Sequence, residues 1–181
     1  MTRQRLVLDA GSASNLLATQ RSIELLDALQ VTALITPGAK AQVLSFVGPV
    51  NGNGRQTRIP ADFSPLVEAH ALVEQPLDGS FVDELVRCAE ELTGVDAESL
   101  ALAAGLNLPI VSDDDKVRAV AGRLYPQVVL LSSLELIRRG VEKLGLSAEQ
   151  ITELLRSMQG RGNYLAPRSG PEFEWFSSHL R

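Results

Sequence analysis

The sequence predicts an α/β domain in which a mostly parallel sheet is covered by helices on both faces. Three observations predict it. Short apolar or β-branched runs alternate with helix-length amphipathic runs along the chain. Several of the strand-like runs are apolar throughout, as strands buried on both faces require. At 181 residues and 45% apolar content, the chain suffices for about one packed core, whereas two domains would each be small.

Residues 6–9 read as a buried strand and residues 12–29 as a helix, with Leu16, Leu17, Ile23, Leu26 and Leu29 at helical spacing. Residues 31–36 are β-branched-rich and stop at Pro37-Gly38, so a second strand precedes a short helix over 39–46. The stretch 48–60 holds Asn51-Gly52-Asn53-Gly54 and two prolines, which predicts a loop or small hairpin. A polar turn and helix at 62–69 and a short edge strand at 71–74 follow. Residues 80–92 predict a helix, because Ser80-Phe81-Val82-Asp83 approximates a capping box and Phe81, Leu85, Val86 and Cys88 share an apolar face. Asp96 is expected to cap a small-residue helix to residue 104, ahead of a buried strand at 108–112. Asp113-Asp114-Asp115 opens a helix through residue 124, and 128–131 is the last strand. Amphipathic helices over 133–144 and 147–159 lead to a tail whose Trp175 and Phe176 are expected to anchor it on the core.

A net charge of −5 argues against a protein that coats nucleic acid through a general basic surface. The charge is uneven: residues 1–115 carry 7 Lys/Arg and 16 Asp/Glu, residues 116–181 carry 10 and 6. An acidic pocket flanked by basic C-terminal helices would produce this asymmetry, as would solvated helix faces that merely differ. Every apolar run falls far short of the ~20 residues of a membrane span. The opening residues read as a first strand rather than a signal peptide, and the single cysteine, Cys88, suits a reducing compartment. The expectation is a cytoplasmic protein with no membrane segment.

In a parallel α/β sheet, ligands bind beyond the carboxyl ends of the strands. Asp9 ends the first strand there, Asp113 and Asp114 follow the strand at 108–112, and Asp96 opens the helix leading into it. Oxygen ligands of this kind suit Mg²⁺ or Mn²⁺. Asp96 and the triplet 113–115 can also serve as helix caps and dipole partners. A carboxylate directly after an apolar strand is harder to explain without a use, because it must be desolvated or paired. His70 and His179 lack zinc-ligand spacing, the glycines of 48–54 lack the context of a phosphate loop, and no Gly-x-Ser-x-Gly elbow occurs. Asp9 lacks the second aspartate two positions on that a haloacid-dehalogenase-type phosphatase would show.

These residues carry a resemblance. Leu6-Val7-Leu8-Asp9-Ala10-Gly11, with Asn15-Leu16-Leu17-Ala18-Thr19, looks like the opening of PIN-domain proteins. Val95-Asp96-Ala97-Glu98-Ser99-Leu100 before an alanine-rich helix, and Leu108-Pro109-Ile110-Val111-Ser112-Asp113-Asp114 with Lys116 and Arg118, are similar to the family's third and fourth acidic motifs. The pattern spans about residues 5–133 in order, and the tail around Arg161, Pro167 and Trp175 resembles one bacterial branch of the family.

The resemblance implies a five-stranded sheet, a PIN-like domain over residues 1–145 and a C-terminal helix and tail over 146–181 packed on it. It also implies Mg²⁺- or Mn²⁺-dependent hydrolysis of RNA phosphodiesters, as in the toxin of a toxin–antitoxin pair. Asp9, Asp96 and Asp114 would be the catalytic metal ligands and Asp113 would hold a metal-bound water. Ser12, Asn15 and Glu98 would support them. Arg138, Arg139 and Lys143 would contact RNA, and the partners would be RNA, an antitoxin protein and a second copy in a homodimer. One departure stands out: Gln42 occupies the place of the family's second acid, with Lys40 beside it. A glutamine can donate an oxygen but brings no charge. A PIN-like module without turnover, binding RNA or a protein, is therefore the alternative, and an unrelated Mg²⁺-dependent phosphohydrolase is a third reading.

Overall fold

The computed structural model describes residues 3–168 and 170–181. Strand β1 (Gln4–Leu8) ends in Leu6, Val7 and Leu8, all buried. A run with no solvent face must lie inside a sheet covered on both sides. β1 is accordingly central. It pairs parallel with β2 (Val31–Ile35), Leu6 opposite Ala33, and on its other side with β6 (Ile110–Val111), Val7 opposite Ile110. β5 (Leu72–Glu74) adds beyond β2 and β7 (Leu130–Leu131) beyond β6. The result is a five-stranded parallel sheet in the order β5-β2-β1-β6-β7, at the heart of the predicted α/β/α sandwich.

Strand alternation sends Leu6 and Leu8 to one face and Val7 to the other. Leu6 and Leu8 pack under α1 (Ala10–Ala18), α2 (Ser22–Ala28), α8 (Ser133–Leu144), α9 (Ala148–Gly162) and α10 (Phe173–His179). Val7 packs under α5 (Val82–Ala89), α6 (Gly94–Leu106) and α7 (Asp115–Leu124). Between β2 and β5 the chain makes α3 (Pro37–Gln42), the antiparallel hairpin β3 (Ser45–Val50) and β4 (Gln56–Pro60), and α4 (Ser64–Glu68). Leu154, Leu155 and Met158 of α9 and Phe176 of α10 belong to the same core as β1, and Phe176 meets Tyr164 edge to face with ring centroids 5.7 Å apart. The tail is thus anchored by its aromatics as expected. Among the described residues no helix is long and apolar enough to cross a membrane.

Four local expectations need correction. Residues 12–29 form two helices, because Thr19 and Ser22 both donate their hydroxyls to the Leu16 carbonyl and Gln20 turns into the left-handed region at φ 61°. Side chains that satisfy a backbone carbonyl in this way compete with the helical ladder. The helix expected over 39–46 starts earlier, with Pro37 in its first turn and Thr36 as its cap, and ends at Gln42; Phe46 lies in β3. Val86 is exposed, so the apolar face of α5 excludes it. Asp96 does not cap α6: with Gly94 at φ 49° the helix begins three residues earlier than an Asp96 cap would place it, which leaves Asp96 in the first turn.

Helices α2 and α8 approach closely at Gly140, where an added Cβ would stand 2.8 Å from Leu25 Cδ2 and 3.4 Å from its Cα. Gly140→Val is expected to cost about 1–3 kcal/mol by overpacking. Gly160→Ala, with no heavy atom within 4 Å of the new Cβ, is expected to be neutral or to gain up to about 1 kcal/mol of helix propensity. Urea denaturation of both variants checks the contrast.

Candidate functional site

The chain leaves β1 towards β2 on one side, while β6 lies on the other, so the sheet reverses its winding between β1 and β6. Loops that diverge at such a point open a crevice beyond the carboxyl ends of the strands. Asp9 and Ser112-Asp113-Asp114 sit there. The Asp9 N–H donates to the Val111 carbonyl at 3.2 Å, and the Asp9 carboxylate accepts the Ser12 N–H at 2.6 Å, which caps α1.

Asp9 is 4% exposed, and burial raises its pKa above the usual 3.8. The Ser112 hydroxyl and the Ser12 N–H pull it back, and the Asp113 charge pushes it further up. The Ser12 hydroxyl is near enough to lower it too, yet makes no hydrogen bond of acceptable geometry and is buried without a partner among the described residues.

Asp113 is held by both oxygens. Asn15 Nδ2 donates to Oδ2 at 3.0 Å, and the Ser133 N–H at the start of α8 donates to Oδ1 at 2.9 Å. Asp114 caps α7 by accepting the N–H groups of Lys116 and Val117 at 2.8 and 2.9 Å. Asp96 makes no capping bond; its pKa is raised by burial and by Asp114, and lowered by Lys116.

The Asp113 charge thus bears on Asp9 and the Asp114 charge on Asp96. No three His, Cys, Asp or Glu side chains among the described residues form a group that could hold a metal ion. None of the four acids takes part in an ion pair among the described residues, whereas Asp27, Glu24, Glu74, Glu91, Glu135 and Glu142 each do.

The remaining predicted residues are less concentrated. Gln42 is exposed at the end of α3, one turn beyond Gly38. A Cβ on Gly38 would stand 2.5 Å from Glu98 Oε2, so Glu98 lies against α3. Lys40 pairs with Glu74 at 2.6 Å, which commits its charge to the β5 edge rather than to the acids. Arg138 and Arg139 pair with Glu142 and Glu135 along α8. They and Lys143 follow Ser133 by about 8 to 15 Å of helix, away from the end that binds Asp113. A groove of about 840 Å³ lined by α3, α4 and the segments that flank the hairpin contains none of the predicted acids.

Sequence reasoning missed Ser112, Ser133 and Tyr164. Ser112 is legible as the hydroxyl preceding an acid pair at a strand end, but Ser133 acts through its backbone and Tyr164 reaches the site only through the tail. No family model, curated protein or solved structure matches the chain.

Because burial raises the pKa of Asp9, the folded state holds its proton more tightly than the unfolded chain does. Its stabilising contribution is fully present below 3.8 and is lost as pH rises through the raised value. Asp9→Asn keeps a capping side chain and removes the charge. It is expected to raise Tm by a few degrees at neutral pH, a gain that fades towards about pH 3. Thermal melts across pH check it; a cap without electrostatic strain would give no such pH dependence.

Proposed function

We propose that this chain is a PIN-like, Mg²⁺- or Mn²⁺-dependent ribonuclease acting in the cytoplasm. The observation that carries the reading is the buried carboxylate of Asp9 beside Asp113 at the carboxyl ends of β1 and β6, neither of them paired with a cation among the described residues. Proteins seldom leave a buried carboxylate such as Asp9 without a counter-charge. The donors fit a hard divalent cation: all are oxygens, and the buried Ser12 hydroxyl has no partner among the described residues.

Asp9 and Asp113 would hold the ion, with Asp96 and Asp114 completing the acidic wall. Bound there, a divalent ion supplies Lewis acidity for in-line hydrolysis of a phosphodiester. Asn15 fixes Asp113 through its side-chain amide, and the Ser12 hydroxyl can orient a water or a phosphate oxygen beside Asp9. An antitoxin protein or a second copy would regulate access. The competing reading, a module that binds RNA or protein without turnover, is favoured by the lack, among the described residues, of three acids close enough to share a metal ion, and by the neutral Gln42.

Thermal denaturation with Mg²⁺ or Mn²⁺ tests the proposal, since a ligand at 100 times its Kd stabilises by about 2.7 kcal/mol. A rise in Tm at millimolar metal, with cleavage of single-stranded RNA, is expected. If neither metal moves the transition, the metal-site reading is wrong. Gln42→Glu is expected to tighten metal binding and raise cleavage, because it adds charge where the family carries an acid. Tighter metal binding with no cleavage in either form would favour the binding module.

A further inference from the structure

Residues 28–61 and 154–171 contain no Asp or Glu, in a chain whose net charge is −5. The fold brings these two acid-free stretches together, because β3 of the hairpin packs against α9. Where they meet, the Arg161 guanidinium lies over the ring of Phe46, its Cζ 5.6 Å from the ring centroid. Phe46 is buried, so its ring is a fixed platform for the cation rather than an exposed stacking surface.

Arg161 enters no ion pair among the described residues, whereas Arg138 and Arg139 of α8 are each committed to a glutamate. Its Nε is buried without a hydrogen-bond partner and is closed to any ligand. The two Nη groups also lack a partner among the described residues, but they are not buried, and solvent reaches them. A guanidinium held by its stem and by one ring face has little rotamer freedom left to lose, and its open edge presents N–H donors in a fixed fork. What answers such a fork, where the protein supplies no carboxylate, is an anion with two adjacent oxygens.

The next residue fixes where this fork stands. Gly162 ends α9 against α1: a Cβ on it would lie 3.0 Å from Ala18 Cβ and 3.9 Å from Asn15 Oδ1. Asn15 in turn donates to Asp113 Oδ2 at 3.0 Å. Arg161 is thus one residue from the contact with the side chain that grips the acid, on the α1 flank of the crevice. Arg55 and Arg58 on the hairpin, exposed and without ion pairs among the described residues, add positive field on the same side of α9. From this arrangement we infer that Arg161 binds a backbone phosphate of single-stranded RNA, so that the strand crosses the junction of α9 with the hairpin and not α8. That the phosphate belongs to RNA rests on the ribonuclease reading; the unanswered guanidinium does not.

The test is titration of a short, fluorescein-labelled single-stranded RNA with the whole protein, free of metal, followed by anisotropy across a salt series. Wild-type protein is expected to bind with an affinity that falls as salt rises. Arg161→Gln is expected to weaken binding by about tenfold at low salt, the worth of a charge-assisted hydrogen bond. It is also expected to flatten the slope of log K against log salt by about 0.7, the share of one phosphate on a single strand. Circular dichroism and Tm serve as folding controls. A second measurement needs no variant: RNA is expected to shield Arg161 of the wild-type protein from phenylglyoxal, read by mass spectrometry. Absence of RNA binding, wild-type affinity and slope in folded Arg161→Gln, a loss that falls on Arg138→Gln instead, or an Arg161 that RNA does not shield overturns the inference. Binding of an acidic peptide that depends on Arg161, where RNA binding does not, overturns it in favour of a protein partner. Because these titrations contain no metal, their failure beside a positive metal shift sinks only the phosphate contact. Their success beside absent metal binding and cleavage sinks only the ribonuclease reading.

Discussion

Placing carboxylates at the crevice between β1 and β6 is the constraint on which the local architecture depends. A carboxylate as buried as Asp9 resists ionisation, and the chain answers with backbone donors instead of basic side chains. Each of the four acids stands at a helix start: Asp9 caps α1, Asp114 caps α7, Asp113 takes an N–H of α8, and Asp96 lies in the first turn of α6. Helix N-termini carry partial positive charge and unsatisfied N–H groups, so they hold anions without occupying the mouth of the site. A lysine or arginine in the same place would neutralise the acids and fill the space a ligand needs.

The two faces of the sheet contribute differently. The face under α5, α6 and α7 is closed by a small-residue helix in which Ala97, Leu100, Ala101, Leu102 and Ala103 are buried, and that close packing fixes where Asp96 stands. The other face carries α1 and α8, which hold Asn15 and Ser133 against Asp113, and then α9 and α10 outside them. Because Phe176 locks the tail through Tyr164, the last residues of the chain form a wall of the crevice rather than an appendage.

Much of this was legible in the sequence where a residue's role follows from its neighbours. Leu6 to Leu8 announce a buried strand, Asp9 ends it, and Asp113-Asp114 open a helix; the structure keeps all three features. What the sequence hides are contacts set by tertiary geometry. The break at Gln20 depends on two hydroxyls sharing one carbonyl, which periodicity does not register. The neutralisation of Lys40 depends on Glu74, 34 residues away on the sheet edge. Arg138 and Arg139 read as free cations because charge counts ignore direction, whereas on α8 each lies one turn from a glutamate. Tyr164 carries no motif at all, and only the fold of the tail brings it to Asp113.

The charge balance of the acids follows from the same electrostatics. Each helix start is worth about half a positive charge, so α1, α6, α7 and α8 together offset roughly half of four ionised carboxylates. Lys116 helps Asp96 from the exposed side, where solvent screens it. The remaining deficit is on the order of two negative charges, the charge that one divalent cation carries. Without a cation, the Asp113 charge raises the pKa of Asp9 and the Asp114 charge that of Asp96. In the proposed reading, a bound cation would supply that missing positive charge. Gln42, bringing no charge, would then lower the gain from binding without abolishing it.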